Sequence, residues 1–110
     1  ERVMGDRNNI KITYSNGQGV YLYSHWGGSE LREIVADALE TSGRVTDESY
    51  FARVLFSRMI AHELHQETGY GIAPYVVDQD ASNKMIHVDY TKAEALTGWV
   101  PQVDYRYEGE

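Results

Sequence analysis

The stretch NIKITYSNGQGVYLYSHW, residues 9–26, limits the fold more than any other part of the chain. Two alternating runs rich in β-branched and aromatic residues flank Asn16-Gly17, a pair whose backbones both accept the positive φ of a tight hairpin turn. Residues 8–26 are therefore expected to form a β-hairpin. A two-residue turn pairs Ile12 with Tyr21 and Ile10 with Tyr23, leaving Val20, Leu22 and Trp26 on the other side, so that both faces are apolar. Two resolutions stay open. Helices cover one face while a partner subunit or ligand covers the other, or a bulge at Gly17 or Gly19 shifts the register by one residue.

The hairpin leads into SHWGGSEL, residues 24–31, where a histidine and a tryptophan sit beside two glycines. Ser29 suits the N-cap of a helix over about 30–41, with Glu30 and Glu33 in the first turn and Leu31, Ile34, Val35, Ala38 and Leu39 on one buried stripe. A second helix is predicted from Thr46 or Asp47 to about Gln66, with Phe51, Val54, Leu55, Met59 and Leu64 inward and Gly69 as its stop. YGIAPYVVD and KMIHVDY read as strands around the turn QDASN, with Pro74 marking an edge or a strand start. Thr91 and Glu94 have the spacing of a capping box before a short helix ending at Gly98, and the tail WVPQVDYRY is a candidate further strand. The order ββααββ plus a short C-terminal helix and strand predicts an α+β fold, an antiparallel sheet with two helices packed on one face. A single domain over 1–110 is expected, with residues 1–3 read as an appended remnant or upstream extension before Met4-Gly5.

Composition excludes several classes of function. No cysteine is present, which removes disulfides, thiolate catalysis and cysteine-ligated zinc. Seventeen acidic residues against ten basic ones give a formal charge of −7, whereas a general nucleic-acid binder carries a basic face, so no long nucleic acid is expected as partner. The acids are interspersed with lysines and arginines, which disfavours a DNA mimic. No apolar run approaches the roughly 18 residues of a membrane span, and no signal peptide is read. A soluble, cytoplasmic protein without membrane partner is expected.

The motifs that suggest chemistry are incomplete. HELH, His62–His65, is one residue short of the zinc-protease spacing, and a metal there needs a third ligand such as His87 or His25. The run from Asp78 has oxygen ligands at alternate positions like a calcium loop, but Asn83 stands where glycine is required and Asp89 where glutamate is. No Gly-x-Ser-x-Gly elbow frames Ser15, Ser24, Ser29 or Ser57. No catalytic residue, metal or cofactor is assigned.

What remains is the aromatic set around the two glycines. Backbone N–H groups at Gly27 and Gly28, at the start of a helix, suit an anion approached without a Cβ in the way. The candidate ligand-binding residues are Tyr21, Tyr23, His25 and Trp26 for a base or ribose, Gly27, Gly28, Ser29, Arg7 and Arg32 for phosphate, and Tyr70, between Gly69 and Gly71, as a lid. Two ring stacks and two or three charge-assisted hydrogen bonds suffice for the roughly 8 kcal/mol of a micromolar complex if the pocket is preorganised.

MGDRNNI, VYLYSHWGGSEL, SYFARVLFSRMI and ETGYGI together resemble a family of short phage, prophage and bacterial proteins that open with Met-Gly-Asp-Arg and carry a Tyr-Leu-Tyr-x-His-Trp-Gly-Gly block. The match spans about residues 4–77. It implies a phage context and, by analogy, antagonism of a host system in the host cytoplasm. The expected function is non-catalytic sequestration of a small nucleotide-like anion, a cyclic-nucleotide or ADP-ribose type of immune signal, by a homo-oligomer. A protein–protein inhibitor acting through a tyrosine-rich acidic surface is the alternative, and a nucleotide-processing enzyme using His25 or His62 is the third.

Overall fold

The computed structural model describes residues 6–78 and 84–107. The expected turn QDASN, which is also part of the calcium-like run, and residues 1–5 and 108–110 lie outside the described residues. The described elements are β1 (Asn8–Thr13), β2 (Gly19–Ser24), a 3-10 turn (Gly28–Glu30), α1 (Leu31–Thr41), α2 (Glu48–Met59), β3 (Tyr70–Ala73), β4 (Met85–Asp89), a second 3-10 turn (Ala95–Thr97) and β5 (Gln102–Tyr107). This is an α+β fold in which five strands form one sheet in the order β3-β2-β1-β4-β5.

The hairpin adopts the shifted register. Ile12 lies opposite Val20 and Ile10 opposite Leu22. Tyr14 receives the turn, its N–H donating to the Gln18 carbonyl at 2.7 Å while Gly17, at φ +89°, donates to the Tyr14 carbonyl at 2.9 Å. The extra residue at Gly17 forms a glycine bulge, which the side chain of Asn16 supports by accepting the Gln18 N–H at 2.9 Å. The apolar residues Ile10, Ile12 and Leu22 consequently share one buried face, and Lys11, Tyr21 and Tyr23 share the other. The second aliphatic face does not form, so the expectation of a homo-oligomer loses that support.

Helices α1 and α2 cover the aliphatic face. Leu31, Val35 and Ala38 from α1 and Phe51, Ala52, Leu55 and Met59 from α2 meet Ile10, Ile12, Leu22, Ile86 and Val88 in one core. Two boundaries differ from expectation. The second helix ends at Met59 rather than near Gln66, because Leu64 is the only aliphatic residue larger than alanine between Ile60 and Gly69 and propensity alone does not hold a helix in water. Leu64 is 65% exposed in the turns that follow. The short C-terminal turn starts at Glu94, whose N–H donates to Thr97 Oγ1, whereas Thr91 turns its hydroxyl back to Asp89.

The sheet is mixed, not purely antiparallel, because β1 and β4 run parallel. The route between β3 and β4 explains it. Beyond β3, Val77 N–H donates to Asn9 Oδ1 at 3.1 Å and Asp78 accepts from Arg7 Nη1 at 2.8 Å, while the Lys84 carbonyl accepts from Asn8 Nδ2 at 2.9 Å. The described residues at both ends of this connection thus lie at the starting end of β1, and β4 sets out from there in the same direction as β1. Asn8 and Asn9 are buried at this crossing and satisfied by it. Among the described residues no helix is long and apolar enough to cross a membrane.

Candidate functional site

Beyond β2 the strand ladder is prolonged by one bond, His25 N–H to the Gly69 carbonyl at 2.8 Å, which brings the entry of β3 against the hairpin's end. Trp26 lies across Gly69 so closely that a Cβ there would sit 2.6 Å from its Cζ3, and Gly69 itself has φ +96°. The His25 ring meets the indole edge-on at 5.0 Å between centroids. Tyr23, His25, Trp26, Thr68, Gly69, Tyr70, Gly71 and Val77 line an open groove of about 490 Å³, within the range of small-ligand sites. Four of the expected ligand residues, Tyr23, His25, Trp26 and Tyr70, are therefore brought together.

The polar atoms of this groove are organised by carboxylates. Tyr23 Oη lies 2.7 Å from His25 Nδ1 and 3.4 Å from Asp78 Oδ2. Burial and the Asp78 charge push the Tyr23 phenol up, against the nearby Arg7. Tyr70 donates to Glu63 Oε1 at 2.8 Å, and burial with this Glu63 contact raises its pKa to about 12. Tyr70 is a wall of the groove on β3, tied in place by Glu63.

The expected anion site is filled from within the chain. Gly28 N–H donates to the Asp6 carbonyl at 2.5 Å, and Ser29 gives both its N–H, at 3.0 Å, and its hydroxyl to Asp6 Oδ2. Gly27 N–H goes to Ser24 Oγ at 2.9 Å. Gly28 is glycine because the chain at Asp6–Asn8 lies against it: a Cβ would fall 2.6 Å from the Asp6 carbonyl oxygen and 2.7 Å from the Arg7 carbonyl carbon. Ser29 is accordingly not the N-cap of α1; Glu30 holds that position without a side-chain bond. An aspartate supplies the negative charge that the turn attracts.

The remaining expected residues lie apart from the groove. Arg7 does not line it and is ion-paired with Asp78 at its Tyr23 side. Tyr21 stands on the open sheet face, where the Lys11 ammonium lies 5.7 Å from its ring centroid, and Arg32 lies 4.8 Å over the ring of Tyr105. His62 and His65 fall in the turns after α2 and share no helix face, His87 Nε2 is 2.7 Å from Thr13 Oγ1, and among the described residues no three metal-binding side chains gather.

Sequence reasoning missed a second region. Leu96, Trp99 and Val100 are 93%, 55% and 46% exposed around the second 3-10 turn, and Trp99 adopts φ +63°, a left-handed backbone rare for a bulky residue. Trp99 also borders a cleft of about 440 Å³ with Arg44, Asp47, Glu48 and Tyr90. The signal available in sequence was the apolar run LTGWVP, with too few polar residues for a surface turn. No family model matches the chain, and neither a curated protein nor a solved structure matches it.

Proposed function

We propose that the chain is a non-catalytic binding protein whose groove between β2 and β3 takes the flat ring of a nucleotide-like molecule. One observation carries the reading: an indole with 57% of its surface open forms a wall of a concavity whose other walls are His25, Tyr23 and Tyr70. Such a wall offers a stacking face worth about 1–3 kcal/mol per base. The groove's polar groups fix orientation, while the turn at Gly27–Ser29 keeps its donors for Ser24 and Asp6, so any phosphate projects outward. In the phage context implied by the sequence motifs, the role is to hold an immune signal of the cyclic-nucleotide or ADP-ribose type away from its receptor in the host cytoplasm.

Mass spectrometry of small molecules released by heat, after incubation with bacterial extract containing such signals, tests this. An intact nucleotide carried by the wild type and absent from Trp26→Ala is the expected outcome. A consumed signal with a new product would instead make the protein an enzyme, with His25 at the site. Empty protein in unaltered extract would favour the second reading, a protein–protein inhibitor, which the exposed Leu96, Trp99 and Val100 support. In that case Trp99→Ala abolishes partner capture and Trp26→Ala does not.

A further inference from the structure

The charges around the groove say which ring it takes. Two walls of the groove are backed by carboxylates, Tyr23 by Asp78 and Tyr70 by Glu63, and Glu30 lies near its edge beside Gly27, where a Cβ would sit 3.7 Å from Glu30 Oε1. Glu30 also acts on Tyr70 through its charge. The guanidinium that meets this rim, Arg7, is engaged by Asp78 at 2.8 Å. Of the nearest helix-start donors, those of Ser29 are held by a fourth carboxylate, Asp6, and the Gly27 and Gly28 N–H groups by Ser24 Oγ and the Asp6 carbonyl. An aromatic face carries negative charge density, so Trp26 adds to the same field.

We infer that the groove selects a positively charged heteroaromatic ring, an N-alkylated nucleobase or a pyridinium, over its neutral counterpart, and disfavours a phosphate within it. This rests on the reading that the groove is a ring-binding site. A cationic ring on the indole face gains the attraction of the ring quadrupole and of Glu30 and Glu63, the charge of Asp78 being offset by Arg7, whereas a neutral ring gains stacking alone. A phosphate in the groove meets the repulsion of Glu30 and Glu63 behind the wall at Tyr70, and the guanidinium of Arg7 is already paired with Asp78. The selectivity is electrostatic and therefore fades as salt screens it.

One scaffold in three charge states tests the inference. 1-Methyladenosine is a cation at neutral pH, adenosine is neutral and adenosine 5′-monophosphate is an anion. Binding is followed by tryptophan fluorescence in Trp99→Phe protein, which leaves Trp26 as the sole indole because the chain has two. The expected result at low salt is 1-methyladenosine tighter than adenosine by about three- to tenfold, and the monophosphate weaker than adenosine. Glu63→Gln and Glu30→Gln each shrink the first ratio, as does high salt. Equal binding of the cation and adenosine, or tighter binding of the monophosphate, overturns the inference while leaving the ring-binding site intact. Failure of all three to perturb Trp26 overturns the site itself.

Discussion

Trp26 and Trp99 are open to nearly the same extent, 57% and 55%, and each adjoins a 3-10 turn, yet they are held in different ways. Trp26 is pressed on Gly69 and met edge-on by His25, so its free surface is one wall of a concavity. Trp99 has a left-handed backbone, its N–H closing on the Glu94 carbonyl at 2.9 Å, and its neighbours Leu96 and Val100 project with it. A supported indole in a hollow suits a small ring; an indole on a protruding turn suits a larger surface. Exposure alone does not separate the two, and the backing of the ring does.

The turns beneath these tryptophans differ as much. The turn after Trp26 is jammed against Asp6–Asn8, and the first way to break the comparison is to fill that contact. Gly28→Ala puts a methyl group against backbone atoms that no rotamer change can move, at a cost of about 2–3 kcal/mol. For a domain of this size that lowers Tm by on the order of 10–20 °C, measured by thermal melting. A shift under a few degrees would mean that the strand start at Asp6–Asn8 moves freely and does not anchor the groove.

Asp6→Ala should cost less, about 1 kcal/mol, since it removes the acceptor for Ser29 N–H and hydroxyl without adding a clash. Its value lies in what it opens. With the internal carboxylate gone, Ser29 N–H and hydroxyl become donors for an anion while Gly28 N–H stays on the Asp6 carbonyl, so phosphate should raise the Tm of Asp6→Ala and leave that of the wild type unchanged. Equal stabilisation of both proteins would show that phosphate binds elsewhere.

The smaller effect belongs to the other turn. Trp99→Gly removes about 1–2 kcal/mol of left-handed backbone cost, offset by the greater freedom of glycine in the unfolded chain and by the lost contacts of the indole. The net change is expected within about 1 kcal/mol, a Tm shift of a few degrees. A large loss would assign Trp99 to the fold and weaken the case for a contact surface there.

How much of this was written in the sequence depends on distance along the chain. The hairpin strands, α1 and the meeting of Tyr23, His25 and Trp26 follow from residues close together, and they were legible. The register was not, because Asn16-Gly17 serves a two-residue turn and a bulged three-residue loop alike, and only the side-chain bond from Asn16 to Gln18 N–H marks the choice. The parallel pairing of β1 and β4 depends on a crossing latched by Asn8 and Asn9 to residues some 68–76 positions away. The filled anion site failed for the same reason: the glycines and the helix start were visible, but the carboxylate on Ser29 and the carbonyl on Gly28 both come from Asp6, more than 20 positions earlier. Two buried asparagines at the head of an apolar strand were the available sign that something polar crosses there.

The two regions also hold tyrosines that alkaline titration can tell apart. Burial and then the Glu63 contact raise Tyr70 in the groove to about 12; burial, then the charges of Glu48 and Asp47, raise Tyr90 beside the Trp99 cleft further. Each phenol holds its proton more tightly folded than unfolded, where it titrates near about pH 10. Their contribution to stability is therefore whole below about pH 10 and is lost as pH rises through the folded values. Phenolate absorbance should show both still protonated when an ordinary phenol is half ionised. Glu63→Gln should bring Tyr70 down toward the ordinary value and leave Tyr90 where it is, since Glu63 acts only on the groove. If the variant moves neither phenol, Tyr70 is not tied to Glu63 in solution, and the carboxylate rim of the groove loses one of its three members.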